Sequence, residues 1–205
     1  MAGPAKNKDL HGNVPDRCPV ALLLIDVIND LDFPDNAGLL RKIPQLAKKI
    51  VALKARCAEK RIPIIYVNDN QGRWRSDLAA LLTKCLKPDA PGRLMVERLA
   101  PAATDYLVLK PKHSAFYATP LDTLLSYLET KAAILAGLTT SSCILLTAGE
   151  MYVRDLRLFV PSDCVAALHP RDHRNALRLM RTNFGANTDP SGKLNLNKLL
   201  RNRKL

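Results

Sequence analysis

Aromatic residues make up only 5% of this 205-residue chain, and tryptophan occurs once, at Trp74. Basic and aromatic side chains do not alternate, so the chain lacks the stacking platform that grips single-stranded nucleic acid. The net charge of +12 is therefore read as a surface that attracts anions, and nucleic acid is not expected as the main partner. No apolar run approaches the ~18 residues of a membrane span. The opening "MAGPAKNKDLHGNVPDRCP" has no continuous apolar stretch of the kind a secretory signal needs. The five cysteines, Cys18, Cys57, Cys85, Cys143 and Cys164, are odd in number and widely spaced, without a C-x-x-C. That excludes a disulfide framework or a zinc site and suits a cytoplasmic, reducing location. No cofactor and no metal are expected.

What is present is an alternation of buried strands and amphipathic helices. "VALLLID" (20–26) is a continuous apolar run that stops at a carboxylate, as a strand covered on both faces does. Ile43, Leu46, Ile50 and Leu53 recur at spacings of three and four, predicting a helix over 39–60. Further strands are predicted at 62–68, 105–110, 132–138 and 157–163, with helices near 78–85, from Thr119-Pro120, at 142–154 and at 170–183. Such alternation means a mostly parallel sheet with helices on both faces, a three-layer α/β/α sandwich of Rossmann-like type. Residues 1–17 read as a polar arm, 18–187 as the folded domain and 188–205 as a basic extension.

In open α/β sheets, ligands bind beyond the carboxyl ends of the strands. Asp26 closes strand one, Lys110 closes strand three, and Cys143 follows strand four in the first turn of a helix. Parallel strands put all three on one edge. A thiol is nucleophilic only as thiolate. A carboxylate can accept its proton, an ammonium can stabilise it, and N–H groups at a helix start can hold an oxyanion. Thr140, Ser141 and Ser142 offer capping hydroxyls there. Helix position and Lys110 predict Cys143 as the most acidic of the five thiols, while an ionised Asp26 opposes that shift.

"LLLIDVIND", "LKPKHSAFYATPLD" and "GLTTSSC", in that order, resemble the isochorismatase-like cysteine hydrolases, which include nicotinamidases and N-carbamoylsarcosine amidases. The likeness covers about residues 18–185. It implies an α/β/α fold and an Asp–Lys–Cys triad, with Asp26 as base, Cys143 as nucleophile and Lys110, four residues before Ser114, as the lysine. It also implies a cis peptide between Leu138 and Thr139 and an oxyanion hole made by the N–H groups of Thr139 and Cys143. The activity implied is cleavage of an amide-type C–N bond of a small molecule through a thioester, in a homo-oligomer (dimer or tetramer). Two departures stand out. Nicotinamidases bind a metal through an Asp-x-His pair after the second strand, whereas "NDNQGRWRSD" has Asp69 and no histidine. The glutamine often found two residues after the first aspartate is Ile28.

Phe33, Trp74, His113, Phe116 and Tyr117 are candidates for the walls of a substrate pocket. His169 and His173, spaced i,i+4, read as a solvated helix start rather than a metal pair. Cys164 reads as structural. The alternative to an enzyme is a catalytically silent member whose pocket only holds a ligand or whose basic surface recruits a partner.

Overall fold

The computed structural model describes residues 17–72 and 77–201. Five strands lie in the order β3-β2-β1-β4-β5: β1 (Val20–Ile25), β2 (Ile64–Asp69), β3 (Tyr106–Lys110), β4 (Ala132–Leu138) and β5 (Arg157–Phe159). A two-residue strand, β6 (Val165–Ala166), also pairs with β4, and every pairing is parallel.

The continuous apolar runs are explained by the two cores. In β1, Val20, Leu22 and Leu24 face one cluster, while Ala21, Leu23 and Ile25 face the other. Helix α2 (Ile43–Glu59) covers the first face with Ile43, Leu46, Ile50, Leu53 and Cys57, beside α1 (Ala37–Leu40), α3 (Leu78–Cys85) and α4 (Arg93–Arg98). Helices α5 (Leu121–Tyr127), α6 (Leu145–Tyr152) and α7 (Pro170–Asn183) cover the second. Each fully buried Leu or Ile side chain stabilises the sandwich by about 1.5–3 kcal/mol.

Four elements of the fold, β6, α4, a 3-10 turn and α8, are not in the sequence reading. β6 is only two residues long, and α4 begins at Arg93, the last residue of the Pro- and Gly-bearing "KPDAPGR". Gly92 permits that start, because a Cβ there would meet Asn29 O at 2.1 Å. Beyond residue 187, a 3-10 turn (Ser191–Lys193) leads to α8 (Leu196–Arg201). Leu194, Leu196 and Leu199 bury themselves in the first core, and Arg56 donates to the carbonyls of Ser191 and Leu194. Residues 191–201 are thus basic outside and apolar inside.

The register places the site. Ile25 pairs with both Val67 and Gly137, and Asp69 pairs with Lys110. The carboxyl ends of four neighbouring strands therefore finish level, which brings Asp26, Asp69, Lys110 and Thr139 to one edge.

Candidate active site

Lys110 is the centre of the edge. Its side chain is fully buried, with Nζ 2.9 Å from Asp26 Oδ2, 3.5 Å from Asp69 Oδ2 and 3.6 Å from Cys143 Sγ. An ammonium buried so deeply persists only when paired, and this one has two carboxylates. Asp26 stands just past β1 at φ 52°, a left-handed conformation uncommon for a residue with a Cβ. Its Oδ1 accepts from the Asp69 N–H at 2.7 Å, so both its oxygens are engaged. The loop beyond it is pinned by buried Asn68, which accepts from Ile28 N at 3.1 Å and donates to Ile28 O at 2.6 Å.

Cys143 sits in a single π-helical turn, Thr140–Ile144, ahead of α6. The chain enters it through a cis peptide between Leu138 and Thr139. Gly137 makes the approach possible: its φ is 120°, and a Cβ would lie 2.0 Å from Ile25 O. The N-cap of the turn is Thr139, whose side chain makes no capping hydrogen bond. Thr140 is buried, with Oγ1 2.9 Å from His173 Nδ1, tying the turn that carries Cys143 to α7. His173 is thus half-buried rather than solvated. Burial holds its pKa below the ordinary value, and the nearby charges of Lys42 and Arg174 add to that.

The electrostatics overturn the expectation that Cys143 is especially acidic. Burial, and after it the Asp26 carboxylate, push its thiol up to about 12 against the pull of Lys110. Cys57 and Cys164 also stand at about 12 and Cys85 at about 11. What distinguishes Cys143 is access: the other four thiols are buried and it is not. Burial also raises Asp26 above the ordinary carboxylate value, although Lys110 pulls it down. Burial lowers Lys110, but Asp26, Cys143 and Asp69 together outweigh it and its net direction is up. The resting cluster is therefore a thiol hydrogen-bonded to Asp26, beside a buried ammonium.

A cleft of about 250 Å³ opens above these groups. Leu31, Phe33, Leu39 and Leu138 give it an apolar side; Asp26, Asn29, Asp69, Gln71, His113, Thr139, Ser142 and Cys143 give it a polar one. Of the proposed wall residues, Phe33 and His113 line it. Phe116 does not: it is buried in the second core under the Arg154 guanidinium, 4.4 Å from its ring. Tyr117 is 58% exposed and does not line it either. Both follow Ser114, where the chain turns away from the edge toward α5. Trp74 lies outside the described residues. Asn29 and Gln71 line the cleft unforeseen; their place in the loops right after strand ends is the signal that points to them.

The metal position of nicotinamidases does not fit these residues. Asp69 is engaged by Lys110 and by the Gln71 N–H at 2.6 Å. Gln71, two residues on, accepts from Lys84 Nζ at 2.7 Å, and Lys84 also pairs with Asp30 at 2.6 Å. Among the described residues, no group of three or more His, Cys, Asp or Glu side chains could hold an ion. Likewise, no helix there is long and apolar enough to cross a membrane.

Comparison with known proteins agrees with this geometry. The isochorismatase family protein YaaI of Bacillus subtilis is 35% identical over 160 residues, covering 78% of this chain and 87% of that one. The chain spans about half the length of other relatives it matches, such as the ureidoacrylate amidohydrolase RutB of Methylorubrum extorquens. RutB is 32% identical over 116 residues, which is 52% of this chain and 47% of that protein. Among solved structures, the N-carbamoylsarcosine amidase of Thermoplasma acidophilum superposes with a TM-score of 0.67. It is 25% identical, over 85% of this chain and 98% of that one. The sequence pattern described as the Isochorismatase domain matches residues 20–190. With a parallel sheet flanked by helices and these relatives, the chain belongs to the isochorismatase family.

Proposed function

We propose that this protein is a cysteine hydrolase that cleaves an amide-type C–N bond of a small molecule through a thioester on Cys143. The observation that carries this reading is the convergence of Asp26, Lys110 and the one accessible thiol within a cleft. The cleft's size restricts the substrate to a small molecule.

Asp26 takes the thiol proton as Sγ attacks the carbonyl carbon, and the negative charge moves from the carboxylate through sulfur to the carbonyl oxygen. Lys110, 2.9 Å from Asp26 Oδ2 and 3.6 Å from Sγ, stays beside the negative charge at both ends of the proton transfer. The N–H groups of Thr139 and Cys143 hold the tetrahedral oxyanion. Asp26, its pKa raised by burial, then gives its proton to the leaving nitrogen. Water hydrolyses the thioester and restores the thiol. The likeness to an N-carbamoylsarcosine amidase and a ureidoacrylate amidohydrolase supports a C–N bond as target.

The test is ammonia or amine release over a panel of small primary amides, carbamoyl compounds and ureido acids, comparing wild type with Cys143→Ala. Release by wild type alone is the expected result. Equal release by both would remove Cys143 from the reaction.

A further inference from the structure

We propose that His113 is the base that activates water for thioester hydrolysis, so that Asp26 serves the first half of the reaction and His113 the second. This inference rests on the nucleophile reading above.

The thiol has two sides. On the sheet side are Asp26 and Lys110, both buried, and Asp26 has its two oxygens engaged by Lys110 and the Asp69 N–H. On the open side is His113, exposed, with Nδ1 3.8 Å from Cys143 Sγ, lining the same cleft. Water reaching an acyl group on Sγ comes from the open side. The backbone that carries His113 is anchored by the residues that follow it. Ala115 N donates to Thr147 Oγ1 of α6 at 3.0 Å, Phe116 N donates to Ser114 Oγ at 3.2 Å, and Ser114, Ala115 and Phe116 are all buried. His113 is thus an exposed side chain on an anchored stretch of backbone, which is how a proton carrier is kept in place.

The carbonyl carbon of a thioester is bonded directly to Sγ, so an imidazole 3.8 Å from that sulfur can reach a water beside the carbon. Nδ1 takes a proton from the water as the water oxygen adds to the carbonyl carbon. The tetrahedral oxyanion collapses and the C–S bond breaks, its electron pair leaving on sulfur. The imidazolium returns the proton to that sulfur. The products are the free carboxylic acid and the Cys143 thiol, and nothing else is consumed. Asp26 can meanwhile stay ionised against Lys110, having lost its proton to the leaving nitrogen in the first half.

The test uses p-nitrophenyl acetate, an activated ester whose leaving group needs no proton, so that acylation and deacylation separate. Stopped-flow release of p-nitrophenolate, with intact-mass analysis of quenched samples, is compared for wild type, His113→Gln and Cys143→Ala. His113→Gln should keep the acylation burst and lose about 10²-fold in the steady state, the scale of a general base. An acetyl group should accumulate on the peptide that carries Cys143. Steady-state release at the wild-type rate, without accumulation, would overturn the role of His113 while leaving Cys143 as nucleophile. Equal slowing of burst and steady state would also overturn it, placing His113 in thiolate formation. If wild type takes no acetyl group on Cys143, the inference and the nucleophile reading fall together.

Discussion

Replacing Lys110 by Met should destabilise the fold in a pH-dependent way. Its ammonium is fully buried and pairs at 2.9 Å with an Asp26 that is 4% exposed. Methionine fills similar volume, so the main effect is a buried carboxylate left without its partner. Breaking a buried pair from one side costs about 3–5 kcal/mol. At about 2–4 °C per kcal/mol for a chain of this size, the melting temperature should fall by roughly 6–20 °C near pH 8. The sign with pH follows from the shifts. Lys110 is raised, so its stabilisation is complete below its ordinary 10.5 and fully present at pH 8. Asp26 is already raised above its ordinary 3.8 by burial, and loss of Lys110 raises it further. A raised carboxylate favours folding below its unfolded pKa and disfavours it as pH rises through the folded one. The Lys110→Met deficit should therefore shrink on going from pH 8 to pH 5. The double variant Asp26→Asn/Lys110→Met should recover most of the loss at pH 8, because neither buried charge remains. Urea denaturation of wild type, Lys110→Met and the double variant at both pH values measures this. A single variant within about 1 kcal/mol of wild type at both pH values would refute the account of Lys110 as the buried keystone.

Other outcomes follow from the same geometry. Asp26→Asn should lose nearly all hydrolysis of any amide the wild type cleaves, yet react faster with iodoacetamide at neutral pH, because the charge that raises the Cys143 thiol is gone while Lys110 remains; slower alkylation would contradict that balance. In wild type, limiting iodoacetamide should label Cys143 first, since Cys18, Cys57, Cys85 and Cys164 are buried; peptide mapping that finds another thiol first would contradict it. Gly137→Ala should cost more than ~1 kcal/mol in a thermal melt, given φ 120° and a Cβ 2.0 Å from Ile25 O. Extensive chelation should leave activity unchanged, and loss restored by zinc or iron would oppose the reading of Gln71 and Lys84.

Much of this was legible in the sequence because strands covered on both faces must be continuously apolar. "AAILAGL" coincides with β4, and the helix expected at 170–183 coincides with α7. Polar residues ending such runs, Asp26 and Lys110, could then be placed on one edge by topology alone. What stayed hidden depends on the third dimension. Phe116 and Tyr117 follow the Lys110 segment in sequence, but the chain turns at Ser114, so nearness along the chain did not become nearness in space. The acidity expected of Cys143 failed because helix position and Lys110 are local signals, while burial and the Asp26 carboxylate outweigh them. The bond between Thr140 and His173 joins residues 33 apart, and no spacing rule reports it.

The central claim is that Cys143 carries the acyl group during turnover. An amide that the wild type hydrolyses should be mixed with enzyme, quenched in acid within the first turnovers, and the digest mapped by mass. The account predicts the acyl mass on the peptide containing Cys143, absent in Cys143→Ala, which should also release no amine. Turnover with no adduct on any cysteine, together with release by Cys143→Ala at the wild-type rate, would contradict it.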